Sequence, residues 1–192
     1  MVATPSTMLP LGSPLPSFSL SGPDATTWST EDAAGAPALV VAFLCPHCPY
    51  VKHIEACFGE VTADLMNRGA AVVALQSNAI EDYPQDGPEH MAGQAVVNGF
   101  RFPYLLDASQ DVAKAFRAAC TPDFFVFDGD QRLAYRGQFD GSRPSNDIPV
   151  TGADLVAAAD ALLAGGTAPA DQVPGIGCSI KWRAGNEPDY VA

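Results

Sequence analysis

Residues 38–52 read ALVVAFLCPHCPYVK, and everything else in the chain is arranged around them. Seven apolar residues, Ala38 to Leu44, run into Cys45-Pro46-His47-Cys48 and then Pro49. A continuous apolar run that ends at a breaker is the pattern of a strand buried on both faces. Beyond it Val51, Ile54, Phe58, Val61 and Leu65 step by three and four, the stripe of an amphipathic helix. Two cysteines spaced i, i+3 therefore stand where a buried strand turns into a helix.

That junction has a chemistry. The first turn of a helix has N–H groups without partners, and the helix dipole is positive there. A thiolate at that end is stabilised, so its thiol is acidified. Residues three apart face one another across a turn, within reach of a disulfide. Pro46 and Pro49 cost little, because first-turn N–H groups have no carbonyl to meet. Cys45, at the tip, is expected to be the exposed nucleophile. Cys48, one turn further in, is expected to be the buried resolving thiol.

With those residues read, the chain resembles the thioredoxin superfamily. CPHC between a buried strand and a long helix is similar to its active site. Cys120-Thr121-Pro122-Asp123-Phe124-Phe125 is similar to its second signature, a proline opening the strand opposite the cysteine pair. The segments CPHCPYVKH, FPYLLD, TPDFF and GCSIKW are similar to a redoxin-like bacterial branch related to the AhpC/TSA and ResA proteins. That likeness covers nearly all of the chain beyond about its first ten residues. It implies an α/β thioredoxin-like fold, with a central mixed sheet flanked by helices, an N-terminal hairpin extension and a C-terminal tail. It implies that Cys45 and Cys48 are catalytic and that Pro46, His47, Thr121 and Pro122 support them. It further implies a cis Thr121–Pro122 bond facing the pair, with the Thr121 backbone pairing to an extended substrate. No cofactor and no resident metal is expected.

Two positions depart from the resemblance. Leu39 stands where typical thioredoxins carry a buried acid that takes the resolving thiol's proton, leaving Glu55, Asp123 or water for that task. Leu44 stands where a tryptophan usually precedes the motif. The dipeptide Pro46-His47 is shared with strongly oxidising disulfide-forming enzymes, whose potential lies about 150 mV above thioredoxin's, or roughly 7 kcal/mol for two electrons. This site is accordingly expected to be more oxidising than a typical thioredoxin, with a protonated His47 stabilising the Cys45 thiolate.

At 192 residues the chain has room for one well-cored α/β domain. Its 47% hydrophobic share suits a globular protein. A formal charge of −12 opposes nucleic-acid and anionic-membrane partners. Met1 to Pro16 lacks the basic and apolar regions of a secretory signal, and no apolar run is long enough to span a bilayer. The expected compartment is the cytoplasm, where structural disulfides are rare and paired cysteines read as redox or metal groups. The expected layout is a flexible segment over 1–14, a thioredoxin-like domain over 15–166 and a tail over 167–192 packed on it, as a monomer or weak dimer. Expected partners are protein disulfide or dithiol substrates, or an electron-donor reductase.

Along the chain, Phe18–Leu20 and Thr26–Ser29 predict a hairpin around Gly22-Pro23-Asp24. Ala71–Leu75 predicts a strand parallel to the first, completing a βαβ unit. The loop Ser77–Gly87 leaves the same sheet edge as CPHC, which makes Asn78 and Tyr83 candidates to line the site. The plainer reading is that they only cap and turn. Pro88–Asn98 predicts a helix, and Phe102–Leu106 a short apolar strand. Asp107 with Gln110 predicts a capped helix through Ala119. Phe124–Phe127 and Leu133–Arg136 predict a hairpin around Asp128-Gly129. Thr151 and Asp154 open a helix along Leu155, Val156, Ala159, Leu162 and Leu163.

The leading activity is thiol–disulfide exchange, in which Cys45 attacks, a mixed disulfide forms and Cys48 resolves it. A peroxiredoxin-like peroxidase is the rival enzyme, and either carries an antioxidant activity. Against the rival, Ala42 stands three before Cys45, where a peroxidase resembling that family would place Thr or Ser. A non-enzymatic alternative is a copper-binding or redox-sensing module using Cys45 and Cys48. His47 and His53 are further soft ligands, but the spacing of a four-ligand zinc site is missing. Cys57 reads as a small buried hydrophobe. Cys120 and Cys178 are candidates to pair with each other, or for one to relay electrons from the active site.

Overall fold

The structure, a computed structural model, describes residues 3–191. Three short strands come first: β1 (Ala3–Pro5), then β2 (Ser19–Ser21) and β3 (Thr27–Ser29), which pair as the expected hairpin. The central unit follows as β4 (Ala38–Phe43), α1 (Pro49–Asn67) and β5 (Ala71–Gln76). Next are α2 (Pro88–Val97), β6 (Tyr104–Leu106) and α3 (Asp111–Ala115). The chain closes with β7 (Cys120–Thr121), β8 (Asp123–Asp128), β9 (Leu133–Gly137), α4 (Ala153–Leu163) and β10 (Ile176–Ser179).

The main sheet runs β6-β5-β4-β8-β9, with β4, β5 and β6 parallel and β8 and β9 antiparallel to their neighbours. It is the expected central mixed sheet. β4 lies in its middle and is buried along its whole length, which its unbroken apolar run requires. Alternation along β4 splits the core in two. Val40, Ala42 and Leu44 meet Phe58 and Leu65 of α1 and Leu155 of α4. Leu39, Val41 and Phe43 meet Phe116, just after α3, and Phe18 beside the hairpin. The rings of Phe100, Phe102, Phe124 and Phe139 surround Phe58 with centroids 5.5 to 5.9 Å away. Each such pair adds about 0.5–1.5 kcal/mol beyond the area it buries. That packing fixes α1, and with α1 the position of both cysteines.

Three expectations change. The helix expected through Ala119 stops at Ala115. Asp107 does cap it, accepting from the Val112 and Ala113 N–H groups, but Gln110 and Arg117 take left-handed φ values of 67° and 52°. Those two residues close the helix at both ends. The last helix starts at Ala153 after Gly152, whose φ is 68°. Residues 3–14, within the segment expected to be flexible, are tied down: β1 pairs with β10, Gly12 N donates to Leu133 O at 2.8 Å, and Pro14 bridges Arg132. Among the described residues no helix is long and apolar enough to cross a membrane.

A second sheet, in the order β1-β10-β7, is antiparallel throughout. Its centre is the C-terminal strand. This sheet brings the tail to the active-site edge.

Candidate active site

A strand does turn into a helix here, but Cys48, expected one turn inside, is the N-cap of α1 and Pro49 opens the helix, so Cys45 stands three residues before the cap rather than at the tip. Leu44 N still bonds Leu75 O at 2.9 Å, so the β4 ladder runs to the residue before Cys45. Both cysteines are 0% exposed. For Cys48 this was expected, and for Cys45 it is a correction. Thr121 and the loop that carries Asp86 close over the Cys45 sulfur, leaving half-buried Pro46 and His47 as the outer surface.

Thr121 precedes Pro122 through a cis peptide bond and touches both sulfurs. Its Oγ1 lies 3.2 Å from Cys45 Sγ, and its carbonyl oxygen lies 3.1 Å from Cys48 Sγ. The Thr121 backbone was expected to receive an extended substrate. Here it is paired instead with the chain's own β10, Cys178 standing opposite Thr121 and Ser179 opposite Cys120. Gly177 makes that approach possible, since a Cβ there would fall 2.0 Å from the Thr121 carbonyl oxygen.

Asp86 is the functional residue that the sequence reading passed over. It lies in the 77–87 loop, in a short 3-10 turn over Pro84–Asp86, and is completely buried. Its Oδ1 accepts from the His47 backbone N–H at 3.0 Å, and its Oδ2 lies 2.5 Å from His47 Nδ1. Asn78 Nδ2 donates to the same Oδ2 at 2.8 Å. A carboxylate so placed accepts Nδ1–H, which fixes the imidazole tautomer and turns Nε2 outward. Asn78 in turn accepts at Oδ1 from the Lys181 backbone N–H, at 2.8 Å. Tyr83 stacks on His47 with centroids 5.7 Å apart. Both residues named as site-lining thus stand in one network with His47. The available signal was a lone Asp before Gly87 on the sheet edge shared with CPHC.

The two sulfurs share one readily ionised proton. Burial pushes the Cys45 thiol well up, and its hydrogen bond to Cys48 and the nearby Asp86 charge push the same way. Cys48 is pulled down to about 5, first by the hydrogen bond from Cys45 against the cost of burial, then by Cys178, the Val51 amide and Thr121. Donors that converge on Cys48 favour its thiolate, while burial and the nearby anion favour the Cys45 thiol, against the expectation of an acidic Cys45. Thr121 is arranged for the opposite protonation: its hydroxyl can donate to a Cys45 thiolate and its carbonyl can accept from a Cys48 thiol. The proton consequently has a place on either sulfur.

The remaining candidates lie elsewhere. Glu55 accepts from Gln94 Nε2 at 2.7 Å. Asp123 accepts from Ser6 Oγ at 2.7 Å, and strand alternation puts it on the other side of β8 from Phe124 and the cysteine core. Neither hydrogen-bonds Cys48, which leaves water of the three acceptors expected for its proton. His53 lines a small cleft with Tyr50 and Pro122 rather than joining the sulfurs. Cys57 is half-buried against the core, as a small hydrophobe would be. Sulfur, nitrogen and oxygen atoms of Cys45, His47 and Asp86 lie within 4.8 Å of one another, the set that a metal would use here.

A sheet of this order, with a cysteine pair at a helix N-terminus under a cis-proline, defines a redoxin of the thioredoxin superfamily. The chain belongs to the AhpC/TSA family, which matches residues 11–136. It is 49% identical to an uncharacterized conserved protein of Geobacillus kaustophilus, covering 95% of this chain and 97% of that one with a TM-score of 0.93. It is 44% identical to a hypothetical protein of Sinorhizobium meliloti, covering 95% and 100% with a TM-score of 0.93. The fold is also that of a secreted Mycobacterium tuberculosis disulfide oxidoreductase, at 16% identity, 77% and 95% coverage and a TM-score of 0.57. Among curated proteins none matches.

Proposed function

We propose that the protein is a thiol–disulfide oxidoreductase whose working couple is Cys45 and Cys48. The observation that carries this reading is the shared contact: both sulfurs rest on Thr121, Cys45 on its hydroxyl and Cys48 on its carbonyl. A substrate disulfide enters over Pro46 and His47, where the site is thinnest. Cys45 passes its proton to the Cys48 thiolate and attacks one substrate sulfur, and the other substrate sulfur leaves with the electron pair. The Thr121 hydroxyl steadies the charge on Cys45, and the Thr121 carbonyl receives the new Cys48 S–H. Cys48 then gives that proton to the substrate thiolate that left first and attacks Cys45, forming the Cys45–Cys48 disulfide as the second substrate sulfur leaves with the electron pair. Run backwards, the same steps oxidise a dithiol. The proposed substrates are protein disulfides and dithiols, in keeping with the likeness of the fold to the mycobacterial disulfide oxidoreductase.

Equilibration in dithiothreitol buffers of graded poise, followed by alkylation and peptide mapping, tests the couple. A Cys45–Cys48 disulfide should appear at a single midpoint, and wild type should reduce insulin where Cys45→Ser does not. Absence of that disulfide at every poise would remove the proposal.

Family membership favours a second reading, a peroxidase. Against it, Ala42 lies fully buried within β4, so no hydroxyl stands three residues before Cys45. Hydrogen peroxide consumption at a rate comparable to disulfide reduction would reverse the order of the two readings.

A further inference from the structure

Cys120 and Cys178 were read from sequence as a pair, or one of them as a relay from the active site. The register excludes a directly opposed pair, because Cys178 stands across from Thr121, and Cys120 stands across from Ser179. Side chains directly opposite on paired strands share a face, whereas Cys120 and Thr121, being neighbours, point to opposite faces. Cys178 therefore projects on the Thr121 side, the side that touches Cys45 and Cys48.

Three sulfurs meet there. Cys48 is hydrogen-bonded to Cys45 and to Cys178, so its sulfur has a possible disulfide partner on each side. All three lie in the same core cluster or against it, and Cys178 is only 2% exposed. β10 is held between β1 and β7, with Ala3 on one side of Cys178 and Thr121 on the other, and Ile180 N bonds Ala119 O at 3.0 Å. The fold thus presents Cys178 to the Cys48 sulfur rather than to solvent.

We infer that Cys178 is a third redox thiol, to which Cys48 hands on the disulfide it forms with Cys45. This rests on the reading of Cys45 and Cys48 as a redox couple. Cys178 loses its proton and attacks Cys48 Sγ. The Cys48–Cys178 bond forms as the Cys45–Cys48 bond breaks, and Cys45 leaves with the electron pair and takes up the proton. No electron is gained or lost; the disulfide moves one step inward and Cys45 is again a thiol. Burial, and then the hydrogen bond to Cys48 and its charge, push the Cys178 thiol up to about 12 in the reduced protein. Once Cys48 is in a disulfide, its charge is gone, while the Lys181 charge and the Tyr50 amide remain to favour a Cys178 thiolate. The product stores an oxidising equivalent beneath the surface while Cys45 engages a second substrate.

Cys45→Ser leaves Cys48 and Cys178 as neighbours without the competing partner. Treated with oxidised glutathione and mapped by non-reducing peptide mass spectrometry, it should show an intramolecular Cys48–Cys178 link, lost completely in Cys45→Ser/Cys178→Ser. A Cys48 that ends as a glutathione adduct with Cys178 still alkylatable would overturn the inference. Wild type, which carries no substitution, supplies the second reading. Oxidised by one equivalent of substrate disulfide and quenched in acid, it should contain both the 45–48 and the 48–178 links. Wild type that shows only the 45–48 link sinks the relay and spares the couple, while wild type that shows neither link sinks both.

Discussion

Cys120 and Thr121 are neighbours in sequence but face opposite ways. Around Thr121, sulfur meets sulfur: Cys45, Cys48 and Cys178 converge, and Cys48 is drawn down to about 5. Around Cys120, sulfur meets a carboxylate: burial pushes its thiol well up and the Asp123 charge adds to that. All four cysteines are equally hidden, at 2% exposure or less. Burial therefore does not separate a reactive cysteine from an inert one here. The neighbours do, because a donor stabilises a thiolate and an anion destabilises it.

The largest expected effect tests that division directly. In the proposed mechanism Cys48 is both resolving thiol and acceptor of the Cys45 proton, so Cys48→Ser should lower insulin-reduction turnover on the order of 10³-fold. Cys120→Ser changes the same atom on the other face and should leave turnover within about twofold. A comparable loss in both variants would dissolve the distinction between the faces.

Next comes the carboxylate of the silent face. Asp123 is fully buried, Ser6 satisfies Oδ1, and Oδ2 has no partner. Burial raises its pKa from 3.8 to about 7. Below pH 4 both folded and unfolded chains hold the proton, so Asp123 costs nothing. Between about pH 4 and 7 the unfolded chain releases it while the folded chain does not, and stability falls as pH rises through that window. A rise of that size corresponds to about 4 kcal/mol at most. Urea unfolding of Asp123→Asn should lose this slope and show a more stable protein at pH 7, with turnover unchanged. An unaltered slope would mean that Asp123 is charged and compensated in the native state.

The sequence told one side of this comparison better than the other. Ala38–Leu44, the α1 stripe and both hairpins were readable because each is a local period, and burial honours local periods when both faces are packed. The cysteine pair at the helix end was readable for the same reason. Asp86 and the pairing of β10 with β7 were not, since each joins segments far apart in the chain through contacts that leave no periodic trace. The short α3 was misread because the Asp107 cap is real, while the left-handed Gln110 and Arg117 that limit the helix carry no such signal in residue type. The exposed, acidic Cys45 was misjudged on its surroundings: the helix end falls at Cys48, while Thr121 lies against Cys45 and an anion stands beside it.

Gly177 sharpens the boundary between the two faces. A Cβ at that position would sit 2.0 Å from the Thr121 carbonyl oxygen, against backbone that has nowhere to move without its strand. Gly177→Ala should push β10 off β7, release Thr121 from Cys45, and raise the Cys45 alkylation rate by iodoacetamide roughly tenfold, at a stability cost of about 1–3 kcal/mol. Unchanged alkylation in a folded Gly177→Ala protein would show that β10 is not what holds Thr121 against Cys45.

The smallest effect concerns Asp86, the anion on the reactive face. Its charge helps hold the Cys45 thiol up, so Asp86→Asn should acidify Cys45 while leaving a carbonyl oxygen to accept from the His47 backbone. Each tenfold gain in acidity gives about tenfold more thiolate but a less nucleophilic one, with a Brønsted coefficient of about 0.4–0.5, so the attack rate should gain only about threefold. Stopped-flow reaction of the reduced protein with a chromogenic disulfide measures this at pH 7. A slower reaction would show that Asp86 matters for posture rather than charge, through its hold on His47. Asn78→Ala separates the two cases, because it loosens the same carboxylate by removing the 2.8 Å bond and leaves the charge in place. If the charge is what counts, Asn78→Ala reacts no faster than wild type and only Asp86→Asn accelerates. An equal gain in both variants would assign the acceleration to a loosened loop, and packing rather than charge would then set the reactive face.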